Sequence, residues 1–72
     1  MNEKNKPTFP KSAVKRLRNR HELSQVELAA RLGTSQGSVS RWENPDDELY
    51  PRGAVAILLR QMAKEKNMRV RS

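Results

Sequence analysis

Between residues 12 and 63 apolar residues recur three and four apart, in runs that each span only two or three helical turns. Val14 and Leu17 share one face of a first helix, with Lys15, Arg16, Arg18 and Arg20 around the rest. Ser12 is its expected cap, and its end falls near His21. Ser24, followed three residues later by Glu27, forms a capping box, in which each side chain satisfies a backbone donor of the other residue. A second helix follows, with Leu28, Ala29 and Leu32 on its inward face. Gly33 supplies the left-handed backbone that ends it. Thr34 or Ser35 then caps a third helix, with Val39 and Trp42 inward and Gln36, Ser38, Ser40 and Arg41 opposite, and Pro45 closes it. After an acidic stretch at 44–50, Pro51 suits the first turn of a fourth helix carrying Ala54, Val55, Leu58, Leu59 and Met62. There is no two-residue alternation and no internal repeat, so the pattern predicts an all-α bundle of four short helices.

Composition sharpens the boundaries. Of the 14 Leu, Ile, Val and Phe residues, 12 lie between residues 12 and 63, where eight Lys or Arg stand against six Asp or Glu. The overall charge of +7 is therefore concentrated at the ends. This predicts a flexible basic arm at 1–11, a folded domain at 12–65 and a flexible basic tail at 66–72. With no cysteine and one histidine, disulfides, thiolate chemistry and the common zinc sites are not expected, and neither is a metal or cofactor. His21 reads as a surface turn residue. The longest apolar run, at 54–59, is far shorter than the ~20 residues of a membrane span, and the expectation is a soluble cytoplasmic protein. A pI near 10.6 favours a polyanionic partner. The basic face of the first helix is open to two readings, a solvated face or a phosphate contact.

The spacing from Gln25 to Glu43 carries the functional signal. Two helices crossing across a short turn need a small residue at the close approach and a glycine-like turn, which Ala29 and Gly33 supply four apart. Leu23-Ser24-Gln25, Leu28-Ala29, Gly33-Thr34-Ser35 and Ser40-Arg41-Trp42-Glu43 together resemble the Cro and lambda-repressor-like helix-turn-helix family, across about residues 14–63. The resemblance implies a lambda-repressor-like fold whose second and third helices form the helix-turn-helix. It places the helix at about residues 35–43 in the major groove of double-stranded DNA.

Carried over residue by residue, the resemblance makes Gln36, Ser38, Ser40 and Arg41 the base-reading set. Gln36 suits adenine through its carboxamide, and Arg41 suits guanine or a phosphate. Gln25, Asn44, Ser24, Ser35 and Arg52 fall at phosphate-contacting places. Arg18, Leu28, Ala29, Leu32, Gly33, Val39, Trp42 and Glu43 are the structural positions, Arg18 and Glu43 as an ion pair that orients the third helix. The chain departs from the family at Gly37, which has no side chain to read with, and at Asp46, Asp47 and Glu48, which put three carboxylates where a phosphate would pass.

The resulting expectation is a non-enzymatic, sequence-specific transcription regulator of bacterial, phage or plasmid origin, acting as a repressor. It would bind a two-fold operator as a homodimer, with Leu58 or Leu59 available either to the core or to a dimer surface. Two alternatives stand beside it: an antitoxin with a toxin protein as second partner, and an adaptor or coactivator using the fold to bind protein.

Overall fold

The computed structural model describes residues 6–65, and the expected C-terminal tail and the first five residues of the expected arm lie outside them. Four helices follow one another: α1 (Lys11–Arg20), α2 (Gln25–Leu32), α3 (Gln36–Glu43) and α4 (Ala54–Lys64). Strands are absent among the described residues apart from one isolated antiparallel bridge between Thr8 and Arg52.

Each helix end has a local cause, and two of them differ from the sequence reading. Helix α1 starts two residues early: the extended Pro10 (φ −64°, ψ 133°), not Ser12, precedes it, without a side-chain cap. The Pro10 carbonyl accepts from Ala13 N at 3.1 Å, so Ser12 lies inside the helix and caps nothing. At its other end Leu23 N reaches the Arg18 carbonyl (3.1 Å) and Glu22 N the Asn19 carbonyl (3.0 Å), the paired closure that requires a left-handed residue. Glu22 takes that conformation at φ 59° although it is no glycine. The same closure ends α2, where Thr34 N bonds Ala29 O at 2.9 Å and Gly33 holds φ 75° at no steric cost. Ser24 and Glu27 form the expected capping box, and Ser35 caps α3 through Ser38 N. Helix α4 begins at Ala54 and not at Pro51, because the preceding residues pair with the N-terminal segment.

That pairing corrects the arm. Phe9 N donates to the Pro51 carbonyl (3.1 Å) and Gly53 N to the Pro7 carbonyl (2.9 Å), so residues 7–9 lie along 51–53 and Phe9 enters the core. One apolar residue between two prolines has no periodicity to announce it.

Phe9 joins Val14, Leu17, Leu28, Ala29, Leu32, Val39, Trp42, Ala56, Leu59 and Met62 in a single buried cluster. The inward face of α4 is thus Ala56, Leu59 and Met62; the expected Ala54 is exposed, and of the Leu58–Leu59 pair Leu59 is core and Leu58 exposed. Successive residues turn about 100°, and six apolar residues in a row leave the phase unmarked.

His21 is the other correction. It is 2% exposed, wedged between the ends of α1 and α4. Its Nε2 lies 3.1 Å from the Met62 carbonyl, which can only accept, so Nε2 is the donor. Arg20 Nη2 donates to Ala63 O (3.0 Å) beside it. Together they bond carbonyls at the end of α4, where Met62 O also accepts from Glu65 N (3.1 Å).

Candidate nucleic-acid interface

Helices α2 and α3 pack on each other through Leu28, Ala29, Leu32, Val39 and Trp42, all buried. With Val39 and Trp42 inward, the helical period puts Gly37, Ser40 and Arg41 on the outward side, all exposed, with Gln36 exposed at its edge in the first turn and Asn44 following at the end of the helix. Ser38 does not belong with them: it lies on the flank, half-buried, with Ser35 Oγ 3.2 Å from both its backbone N and its Oγ. Gly37 leaves bare backbone at the middle of the face, and a Cβ there would meet nothing closer than Ser35 Oγ at 3.8 Å.

Behind this face runs a chain of hydrogen bonds. Gln36 Nε2 donates to Gln25 Oε1 (2.6 Å), and Gln25 Nε2 donates to Glu43 Oε1 (3.1 Å). Arg18 grips the same carboxylate with Nε (2.7 Å) and Nη2 (3.0 Å), while its Nη1 donates to the Leu23 carbonyl (2.9 Å). The Arg18 and Glu43 side chains are only 13% and 6% exposed. Burial raises the pKa of the Glu43 carboxyl, but the bonds from Arg18 and Gln25 and the charges of Arg18 and Lys15 outweigh it and hold it below the ordinary carboxylate value. The bond to Glu43 raises Arg18 in turn, against a smaller effect of burial. The expected Arg18–Glu43 pair is present as a forked contact, and it extends through Gln25 to the amide of Gln36.

At the other end of α3, Arg41 Nε donates to Asp47 Oδ2 at 2.9 Å. Asp47 Oδ1 accepts from Leu49 N (2.8 Å), and Lys11 Nζ donates to the carbonyls of both Arg41 (3.0 Å) and Leu49. The Arg41 bond, with Leu49 N and the Lys11 charge behind it, lowers the Asp47 pKa, and Asp47 raises that of Arg41. Sequence reasoning missed Lys11 and the Arg41–Asp47 pair. Six residues separated by a proline obey no helical spacing rule, and Lys11 is brought in from another helix.

Ser24 accepts from Glu27 N (3.0 Å), and Ser35 Oγ, bonded to Ser38, is likewise occupied in capping. Asn44 Oδ1 accepts from Asp46 N (3.0 Å), which leaves its amide nitrogen for an outside acceptor. The Arg52 guanidinium lies 5.7 Å from the centre of the Tyr50 ring and shares with Arg41 the rim of a shallow depression of about 250 Å³. No group of His, Cys, Asp and Glu among the described residues could hold a metal ion. No helix among them is long and apolar enough to cross a membrane.

Comparison with protein-family models matches residues 14–47, from within α1 to the acidic loop, to a helix-turn-helix family. No curated protein and no solved structure matches the chain.

Proposed function

Residues 14–47 being a helix-turn-helix of the Cro and lambda-repressor-like family, and the chain thereby a DNA-binding transcription regulator, we propose that it is a sequence-specific repressor reading bases with the outward face of α3. The observation that carries this reading is the chain Gln36–Gln25–Glu43–Arg18. One amide hydrogen of Gln36 is committed to Gln25, which orients the carboxamide while its Oε1 and second hydrogen remain for the N6 and N7 edge of adenine. A solvated face has no need of such a support.

Gln36 and Arg41 read bases, Ser40 lies between them, and Gly37 lets the backbone approach closely. Gln25, Asn44 and Arg52 hold phosphates. Ser24 and Ser35 serve mainly as caps at the helix N-termini that face the backbone, and their N–H groups favour an anion there. One α3 covers about half of a site, so a homodimer on a two-fold operator supplies the affinity.

The test is a panel of single-base operator changes, the operator first being selected from a random duplex pool. Gln36→Ala is expected to lose about 1–3 kcal/mol on the selected operator and little on an operator already changed at its base pair. Gln25→Ala and Asn44→Ala weaken all sequences nearly equally, Gln25→Ala with some loss at the Gln36 base pair as well. A uniform loss in Gln36→Ala would show that α3 does not read bases through that residue.

A further inference from the structure

The Asp47 carboxylate takes Arg41 by Nε alone. The two Nη groups, the edge that matches guanine O6 and N7, make no bond among the described residues, and the side chain is 61% exposed. Asp47 is itself fixed, by Leu49 N at 2.8 Å and by its place in a loop that Lys11 ties to the end of α3. Two consequences follow from elementary electrostatics. The tether limits where a long, otherwise mobile side chain can swing. It also places a negative charge beside the guanidinium, so the pair offers directed donors with little net positive charge, which favours a neutral base edge over an anionic phosphate.

We infer that Asp47 is a specificity-determining residue of this protein: it positions Arg41 to read a guanine edge and holds it off the phosphate backbone. The inference rests on the reading of α3 as the groove helix and assigns a purpose to the acidic loop, which otherwise only opposes DNA. Asp46 supplies the control. It is exposed, one residue away, and of the same charge, but forms no ion pair among the described residues.

The experiment compares the full-length chain with Asp47→Asn, Asp46→Asn, Arg41→Ala, Arg41→Lys and the double variant Arg41→Ala/Asp47→Asn, on the same operator panel and across salt concentrations. Arg41→Ala identifies the base pair. Asp47→Asn is expected to reduce discrimination at that base pair about tenfold and to bind other sequences more tightly. Its salt slope steepens by about 0.9 in log units as the freed Arg41 takes a phosphate. Asp46→Asn tightens binding to all sequences and keeps the discrimination. In the Arg41→Ala background, Asp47→Asn changes nothing at that base pair. Asn keeps the Oδ1 acceptor for Leu49 N, and Arg41→Lys guards against a disturbed loop: with Asp47 intact it keeps the charge but lacks the fork, and it loses the same discrimination. If Asp47→Asn and Asp46→Asn shift all sequences alike, Asp47 acts only as a charge and the inference is overturned. A uniform loss in Arg41→Ala overturns it too, with DNA binding still standing. Failure to enrich any sequence from the pool overturns both the inference and the groove-helix reading.

Discussion

At the scale of single residues, Glu43 shows how one carboxylate ties the core-side pair with Arg18 to the exposed face of α3. It accepts three hydrogen bonds, two from Arg18 and one from Gln25. A carboxyl whose pKa is lowered by folding contributes stability above its unfolded value of about 4.3, and that contribution is lost as pH falls through the depressed folded value. Wild-type stability should therefore fall on acidification below about pH 5, whereas Glu43→Gln should be less stable at pH 7 and flatter across that acid range. Urea melts at several pH values measure both. Parallel curves for the two proteins would mean that Glu43 is not a source of the acid sensitivity. Glu43→Ala should cost roughly 2–3 kcal/mol at pH 7, since it strands a largely buried guanidinium whose bonds to a charged partner are lost. Gln36 should lose its orientation in Glu43→Ala, because its support through Gln25 ends on this carboxylate, and keep it better in Glu43→Gln, which retains an Oε1 acceptor for Gln25.

Among the elements, α2 and α3 are eight residues each, too short to be stable alone, so their caps and their mutual packing carry them. The contact is tightest to modify at Ala29, which is 4% exposed, whereas its neighbour Ala30 faces solvent. Ala29→Leu should cost roughly 1–3 kcal/mol by overpacking, and Ala30→Leu should be near neutral. Thermal melts of the two variants decide this, and equal effects would contradict the observed phase of α2. The N-terminal segment also counts as an element. Phe9 is core, and residues 7–9 bond to 51–53, so the fold extends before α1 and fixes the connection from α3 to α4.

For the whole molecule, charge governs the encounter with DNA. A net +7 chain that places its helix-turn-helix on duplex DNA releases counterions, so log affinity should fall with log salt by about 0.9 for each phosphate neutralised. Fluorescence anisotropy of a labelled operator across salt concentrations reads the slope. No binding at low salt, or a flat response, would refute phosphate contact by this surface. The charge is uneven within the folded part: Asp47 is engaged by Arg41, and Glu43 by Arg18, so neither carboxylate faces DNA as a free anion.

Local physics, expressed in short-range spacing, made much of this protein legible from its sequence. The capping box at Ser24 and Glu27, the left-handed stop at Gly33, the Ser35 cap and the inward Leu28, Ala29, Leu32, Val39 and Trp42 depend on neighbours within about four residues, and the structure has them as expected. The Arg18–Glu43 pair was legible only through resemblance, because its members are 25 residues apart. Tertiary structure decided the rest. Which face of the apolar run in α4 turns inward depends on what packs against it. Phe9 and His21 are buried because distant carbonyls at Pro51 and Met62 meet them. Ser38 leaves the outward face through the rotation of α3 against the core. Asp47 reaches Arg41 across a proline turn anchored by Lys11, and no spacing announces that meeting.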